Sequence, residues 1–141
     1  MTAYTVRVAT WENDRAALQS VRIPVFVDEQ HVDPNEEFDD VDPVCRHLLA
    51  VDSAGRPIGT GRIDLHGKIG RMAVAKEWRE HGVGRAILQK ALELARQAGL
   101  KRVYLHAQVT AMGFYAREGF ADYGDRFFEA GIEHQAMERA P

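Results

Sequence analysis

The stretch Trp78-Arg79-Glu80-His81-Gly82-Val83-Gly84-Arg85-Ala86-Ile87-Leu88 constrains this chain more than any other. It follows an apolar run and leads into a long amphipathic segment, so it reads as a tight glycine turn entering a helix. Gly82 and Gly84 lack a Cβ, which lets the backbone bend sharply and lets a ligand come close to it. The first N–H groups of such a helix have no intrahelical partner. They point outward together at the positive end of the helix dipole, where a phosphate or other anion is favoured. Two familiar phosphate-binding turns do not fit. A P-loop requires Gly-Lys-Ser/Thr, and Gly84 is followed by Arg85-Ala86. A dinucleotide fingerprint requires a third glycine or alanine where Ile87 stands, and an acidic residue ending the next strand, where the chain has His106 and Gln108. A plainer reading, in which the two glycines only shape a helix start, has to be weighed against what surrounds them.

The rest of the chain narrows the class. Its 141 residues suit one domain over 1–141 with one core. A net charge of −3 argues against a nucleic-acid partner held by a basic surface. Cys45 is the only cysteine, which excludes an internal disulfide and a cysteine-rich zinc site. Scattered His and Asp show no ligand-pair spacing, so no metal is expected. No apolar run approaches membrane-spanning length and the first residues lack a signal-peptide core, so a cytoplasmic protein with no membrane partner is expected.

Hydrophobic periodicity then orders the elements. Thr5–Ala9 alternates as a first strand. Asn13 or Asp14 is expected to cap a helix carrying Ala16, Ala17, Leu18, Val21 and Val25, which Pro24 should kink or divide. The acidic run from Asp28 to Asp42, most of it bracketed by Pro34 and Pro43, reads as a loop whose carboxylates are mostly solvated. A second reading makes it a negative rim that attracts an amine, with Glu29, Gln30 and His31 aimed into a cleft. Strands over 46–51, 58–65 and 69–75 form an antiparallel meander, with Gly59 and Gly61 suggesting a bulge or bend. The helix from Gly82 to Ala98 turns Val83, Ile87, Ala91, Leu94 and Ala98 to one side, widened by Leu88 and Ala95. A fifth strand over 102–108 completes a crossover, so strands four and five should be parallel neighbours. Thr110 is expected to cap a short helix over 111–117, and two last strands lie near 120–128 and 134–138. The fold class is α/β: a mixed, mostly antiparallel central sheet with helices on both faces and a central β-α-β crossover.

Arg79-x-x-Gly82-x-Gly84 after an apolar strand resembles motif A of the GCN5-related N-acetyltransferases (GNAT). Met112-Gly113-Phe114-Tyr115-Ala116-Arg117-Glu118-Gly119-Phe120 is similar to their helix ending in Phe-Tyr-x-x-x-Gly-Phe, and the resemblance spans residues 4–139. Val25-Phe26-Val27-Asp28-Glu29-Gln30, Glu37-x-Asp39-x-x-Asp42, Arg46-His47-Leu48, Ala107-Gln108 and Gly131-Ile132-Glu133-His134 with Met137 resemble the ElaA/YjcF-like branch. The chain departs from that branch at His106, where a small residue is expected, and at Glu133, which replaces a proline.

The resemblance implies an N-acetyltransferase that moves an acetyl group from acetyl-CoA, its co-substrate, to a primary amine of a small molecule or peptide. Strands four and five would splay, and Met72, Ala73 and Val74 would pair with the pantetheine arm. Amides from Arg79 to Ala86 (Arg79, Glu80, His81, Gly82, Val83, Gly84, Arg85, Ala86) would hold the pyrophosphate, with His81 and Arg85 adding charge. An N–H near Val74 would steady the thioester oxyanion. Tyr115 would give a proton to the departing thiolate. Glu29, Glu37, His31 and His106 are candidates to take the amine proton; Glu29 ranks first, and spacing does not choose among them. His47, His134, Trp11 and Trp78 read as structural, and Cys45 as packing rather than an acyl carrier. Family members are often dimers, so a homodimer is expected. The competing function is an acyl-CoA-binding sensor or interaction domain without significant catalysis.

Overall fold

The computed structural model describes residues 3–141. One mixed sheet runs β1-β2-β3-β4-β5-β8-β6, with β7 paired to β8. Its strands are β1 (Tyr4–Ala9), β2 (Arg46–Asp52), β3 (Pro57–Ile63), β4 (Lys68–Val74), β5 (Val103–Gln108), β6 (Ala121–Asp122), β7 (Phe127–Glu129) and β8 (Ile132–Arg139). All neighbours are antiparallel except β4 and β5, which flank the crossover helix α3 (Val83–Gln97). Helix α1 (Trp11–Arg22) covers one face and α3 the other. The fold class is the one the periodicity predicted.

The α3 stripe forms the main core. Val83, Ile87, Leu88, Ala91, Leu92, Leu94 and Ala95 are buried against Leu48, Ile58, Ile69, Val103 and Leu105. Ala98 lies outside the core, because the helix has ended at Gln97 and Ala98 is its exposed cap. Gly59 and Gly61 let α3 sit close to the sheet. A Cβ on Gly59 would meet Ile87 Cδ1 at 2.8 Å, and one on Gly61 would meet Ile87 Cγ2 at 2.8 Å. The bend expected there is also present: the β3–β4 register shifts between Thr60 and Arg62, so Arg71 and Met72 together face Gly61.

Local chemistry corrects several boundaries. Thr10, rather than Asn13 or Asp14, caps α1: its hydroxyl accepts from the Asn13 N–H, and Asp14 accepts from the Thr10 N–H in return. Pro24 does divide the helix, and the chain continues as a π-helical turn over Ile23–Glu29. Thr110 caps nothing, because Val109–Ala111 is a 3₁₀ turn running directly into α4 (Met112–Arg117), with Ala111 at the cap. The acidic run is not simply a loop. It contains the short helix α2 (Pro34–Glu37), capped by Asp33, and a 3₁₀ turn at Asp42–Val44. The segment near 120–128 is two strands, β6 and β7, pairing with different parts of β8.

Candidate active site

Beyond the first contacts, β4 and β5 part. Their register covers Lys68↔Tyr104 and Ile69↔Leu105 alone, while β5 stays paired with β8 as far as Gln108↔His134. The opening is a cavity of about 880 Å³. Met72, Ala73 and Val74 line one wall and Leu105, His106 and Gln108 the other. The π-helical turn and α2 close a third side through Phe26, Glu29, Gln30 and Glu37. Gln108 Nε2 donates to Gln30 Oε1 at 2.8 Å, bridging β5 to the π-helical turn.

The glycine turn sits at one end. Glu80 (φ 67°) and Gly82 (φ 81°) both adopt left-handed backbone, and Gly82 enters α3 without a side-chain cap. The first intrahelical bond recorded there is the Ala86 N–H to the Gly82 carbonyl, which leaves the amides of Val83, Gly84 and Arg85 to outside partners. Gly84 lines the cavity, and a Cβ there would lie 3.7 Å from both Phe114 and Val74. This is a cradle of bare backbone that a larger residue would partly fill, and it fits an anion carried on a narrow chain.

The turn's side chains are engaged elsewhere. Arg79 forms a two-pronged pair with Glu29, both contacts at 2.9 Å, and its Nε donates to the Val74 carbonyl at 3.1 Å. Arg85 reaches Glu118 at 3.1 Å, and the His81 ring meets Trp78 edge-on at 5.9 Å. What the turn offers a phosphate is therefore mainly backbone.

The candidate bases separate clearly. The Arg79 guanidinium holds the Glu29 carboxyl below the usual range, which makes it a poor proton acceptor. Glu37 is buried in an ion network. Arg22, itself buried, bonds Glu37 and both oxygens of Asp42; Arg62 bonds Asp42 at 2.7 Å and Asp39 at 2.9 Å; Arg71 reaches Asp39 at 3.1 Å and Glu37 at 3.2 Å. Burial pushes the Glu37 carboxyl up against the pull of Arg22 and Arg71. His31 is exposed and absent from the cavity wall. His106 lines the cavity, its Nδ1 2.8 Å from Glu129 Oε1 and its ring edge-on to Phe127 at 4.9 Å.

Tyr115 is held in place by Phe114 and Phe120, at ring distances of 5.0 and 5.8 Å, and it lines the same cavity. Burial pushes its phenol up to about 12, so it carries its proton across the neutral range. Cys45 lies just before β2, and burial raises its thiol to about 11, which suits packing and not acyl transfer. His47 is buried, bonded to the Asp42 carbonyl at 2.8 Å and stacked on Trp11. Sequence reasoning missed Glu129, Arg62 and Arg71. The Ala130-Gly131 turn fixes the β7–β8 register, and alternation from it puts Phe127 and Glu129 on the side of His134. That signal was available for Glu129.

The acetyltransferase (GNAT) domain family matches residues 18–140. The uncharacterized N-acetyltransferase YjcF of Bacillus subtilis is 38% identical over 122 residues, covering 83% of this chain and 86% of that protein. An acyl-CoA N-acyltransferase from Pseudomonas aeruginosa superposes with a TM-score of 0.82 at 30% identity, covering 99% of this chain and 100% of the other. ElaA from Escherichia coli superposes with a TM-score of 0.84 at 28% identity, covering 96% and 99%.

Proposed function

Because this chain belongs to the acetyltransferase (GNAT) family and is an acyl-CoA-dependent N-acyltransferase, we propose that it acetylates a primary amine of a small molecule or peptide by direct attack on acetyl-CoA. The parting of β4 from β5 beside the glycine turn carries this reading, since it supplies an open strand edge and an anion cradle on one line. The β4 edge over Met72–Val74 binds the pantetheine arm. The amides from Arg79 to Ala86, those of Val83, Gly84 and Arg85 above all, bind the pyrophosphate. Arg79 contributes by fixing the turn against Glu29.

His106 is the base. Its Nε2 takes a proton from the acceptor ammonium, and the neutral amine forms the C–N bond at the thioester carbonyl. An N–H near Val74 stabilises the oxyanion, an effect of about 3 kcal/mol. As the C–S bond breaks, the Tyr115 phenol protonates the thiolate. The second amine proton returns through solvent to the phenolate, and His106 releases its own to solvent. No covalent enzyme intermediate is needed, because holding both substrates in one cleft supplies the proximity.

A sensor that only holds acyl-CoA has no use for a buried phenol and a histidine on the cavity wall. A cytoplasmic setting and action as one domain complete the proposal. The test is thiol release from acetyl-CoA across a panel of primary amines. Turnover with at least one amine is expected; binding of acetyl-CoA with no reactive amine in a broad panel would favour the sensor.

A further inference from the structure

We propose that Glu129 is a positioning residue for His106: it fixes the imidazole tautomer so that the ring presents a bare Nε2 to the acceptor amine. The inference rests on the acyl-transfer reading and adds a residue to it. An ionised carboxylate only accepts hydrogen bonds, so the 2.8 Å contact places the ring hydrogen on Nδ1. The lone pair then lies on Nε2, which no other described residue engages. The ring is also clamped sterically. Phe127 meets it edge-on at 4.9 Å and stacks in turn on His134 at 6.0 Å, 19° from parallel. β5 and β7 pair with β8 from its two sides, at Gln108↔His134 and Phe127↔His134, so the hairpin that carries Glu129 is tied to the strand beside His106. A carboxylate behind a cavity-facing imidazole is the arrangement that orients a general base and stabilises the imidazolium it becomes. His134 on β8, Lys68 on β4 and Asp64 in the β3–β4 turn also line the cavity, and the Tyr104 ring lies 6.4 Å from that of His106.

The test uses the full chain with Glu129→Gln, Glu129→Ala and His106→Ala. The tautomer is read without turnover, from the ring ¹⁵N shifts of His106. The wild type should show hydrogen on Nδ1. Glu129→Gln should keep it, since an amide oxygen still accepts, and Glu129→Ala should lose that preference. In turnover, Glu129→Ala should lower kcat at least tenfold, within the roughly 10²–10⁴-fold a base contributes, with the acetyl-CoA KM unchanged. Adding Glu129→Ala to His106→Ala should cost nothing further. Hydrogen on Nε2 in the wild type, or a wild-type kcat in Glu129→Ala, would overturn the proposal. The expected tautomer without thiol release from any amine would instead overturn the acyl-transfer reading.

Discussion

Tyr115 shows how a single residue acquires a role from its surroundings. Phe114 and Phe120 strip it of water, and the phenol stays protonated to about 12. It can donate to a thiolate at any physiological pH, so it does not set the alkaline limb of the rate profile. Tyr115→Phe keeps the ring contacts and removes only the hydroxyl. Turnover should fall by about 10²-fold or more while acetyl-CoA affinity stays nearly constant, measured by steady-state kinetics beside calorimetry. Equal turnover would remove Tyr115 from the chemistry. Its position was legible because the Phe-Tyr-x-x-x-Gly-Phe run is local, with Phe114 and Tyr115 on α4 and Gly119 and Phe120 just beyond it. The choice among bases was not, since the state of Glu29 depends on Arg79, 50 positions away, and that of Glu37 on its burial beside Arg22 and Arg71.

At the scale of elements, glycines do two different jobs around α3. Gly59 and Gly61 make room for the helix against β3, so Gly61→Ala should force overpacking against Ile87 and Met72 and cost about 1–3 kcal/mol. Gly84 lies inside the helix, where alanine is favoured by up to about 1 kcal/mol, and its added Cβ meets neighbours at an ordinary 3.7 Å. Gly84→Ala should therefore keep or raise Tm and weaken acetyl-CoA binding. Unchanged affinity by calorimetry would mean that no ligand approaches that backbone. Periodicity located α3 and its neighbours because amphipathic stripes are local. It could not give the distance between helix and sheet, which depends on side chains from three elements, so the two β3 glycines looked like bend signals alone. Thr110 misled for a related reason: a good capping residue forms a cap only if the helix starts there, and a 3₁₀ turn came first.

Across the whole molecule, the buried ion network is what a linear reading hid. Asp28, Glu29, Asp33, Glu36 and Asp40 are exposed as expected, whereas Glu37 and Asp42 are buried and Asp39 is half-buried, matched by Arg22, Arg62 and Arg71 from α1, β3 and β4. These arginines neutralise Glu37, Asp39 and Asp42, so a negative rim would consist of the exposed carboxylates alone. No spacing rule links positions 22, 42, 62 and 71. Asp39 gives the network a pH signature. Burial alone would raise its carboxyl, but Arg62 and Arg71 outweigh this and bring it from 3.8 to about 2. A depressed folded-state value stabilises the fold above the unfolded value and is lost as pH falls through the folded one. The Tm gap between wild type and Asp39→Asn should be full near about pH 6 and close between about pH 4 and 2. A gap that persists at low pH would show that the residue acts through packing.

Arg71 has a wider consequence. It holds a left-handed backbone (φ 51°) at the β4 bulge, next to Met72, while its guanidinium grips the Glu36 and Glu37 carbonyls and the Asp39 carboxylate. One residue therefore ties β4, the strand proposed to carry the donor, to the 34–39 segment. Selection for a new amine cannot freely remodel the 34–39 segment without disturbing β4 at Arg71 and Met72. In the proposed site, diversification of acceptor preference should concentrate instead on cavity-lining positions of the β7–β8 hairpin outside the His106–Glu129 contact, such as Ile132, which can change while β4 keeps its shape.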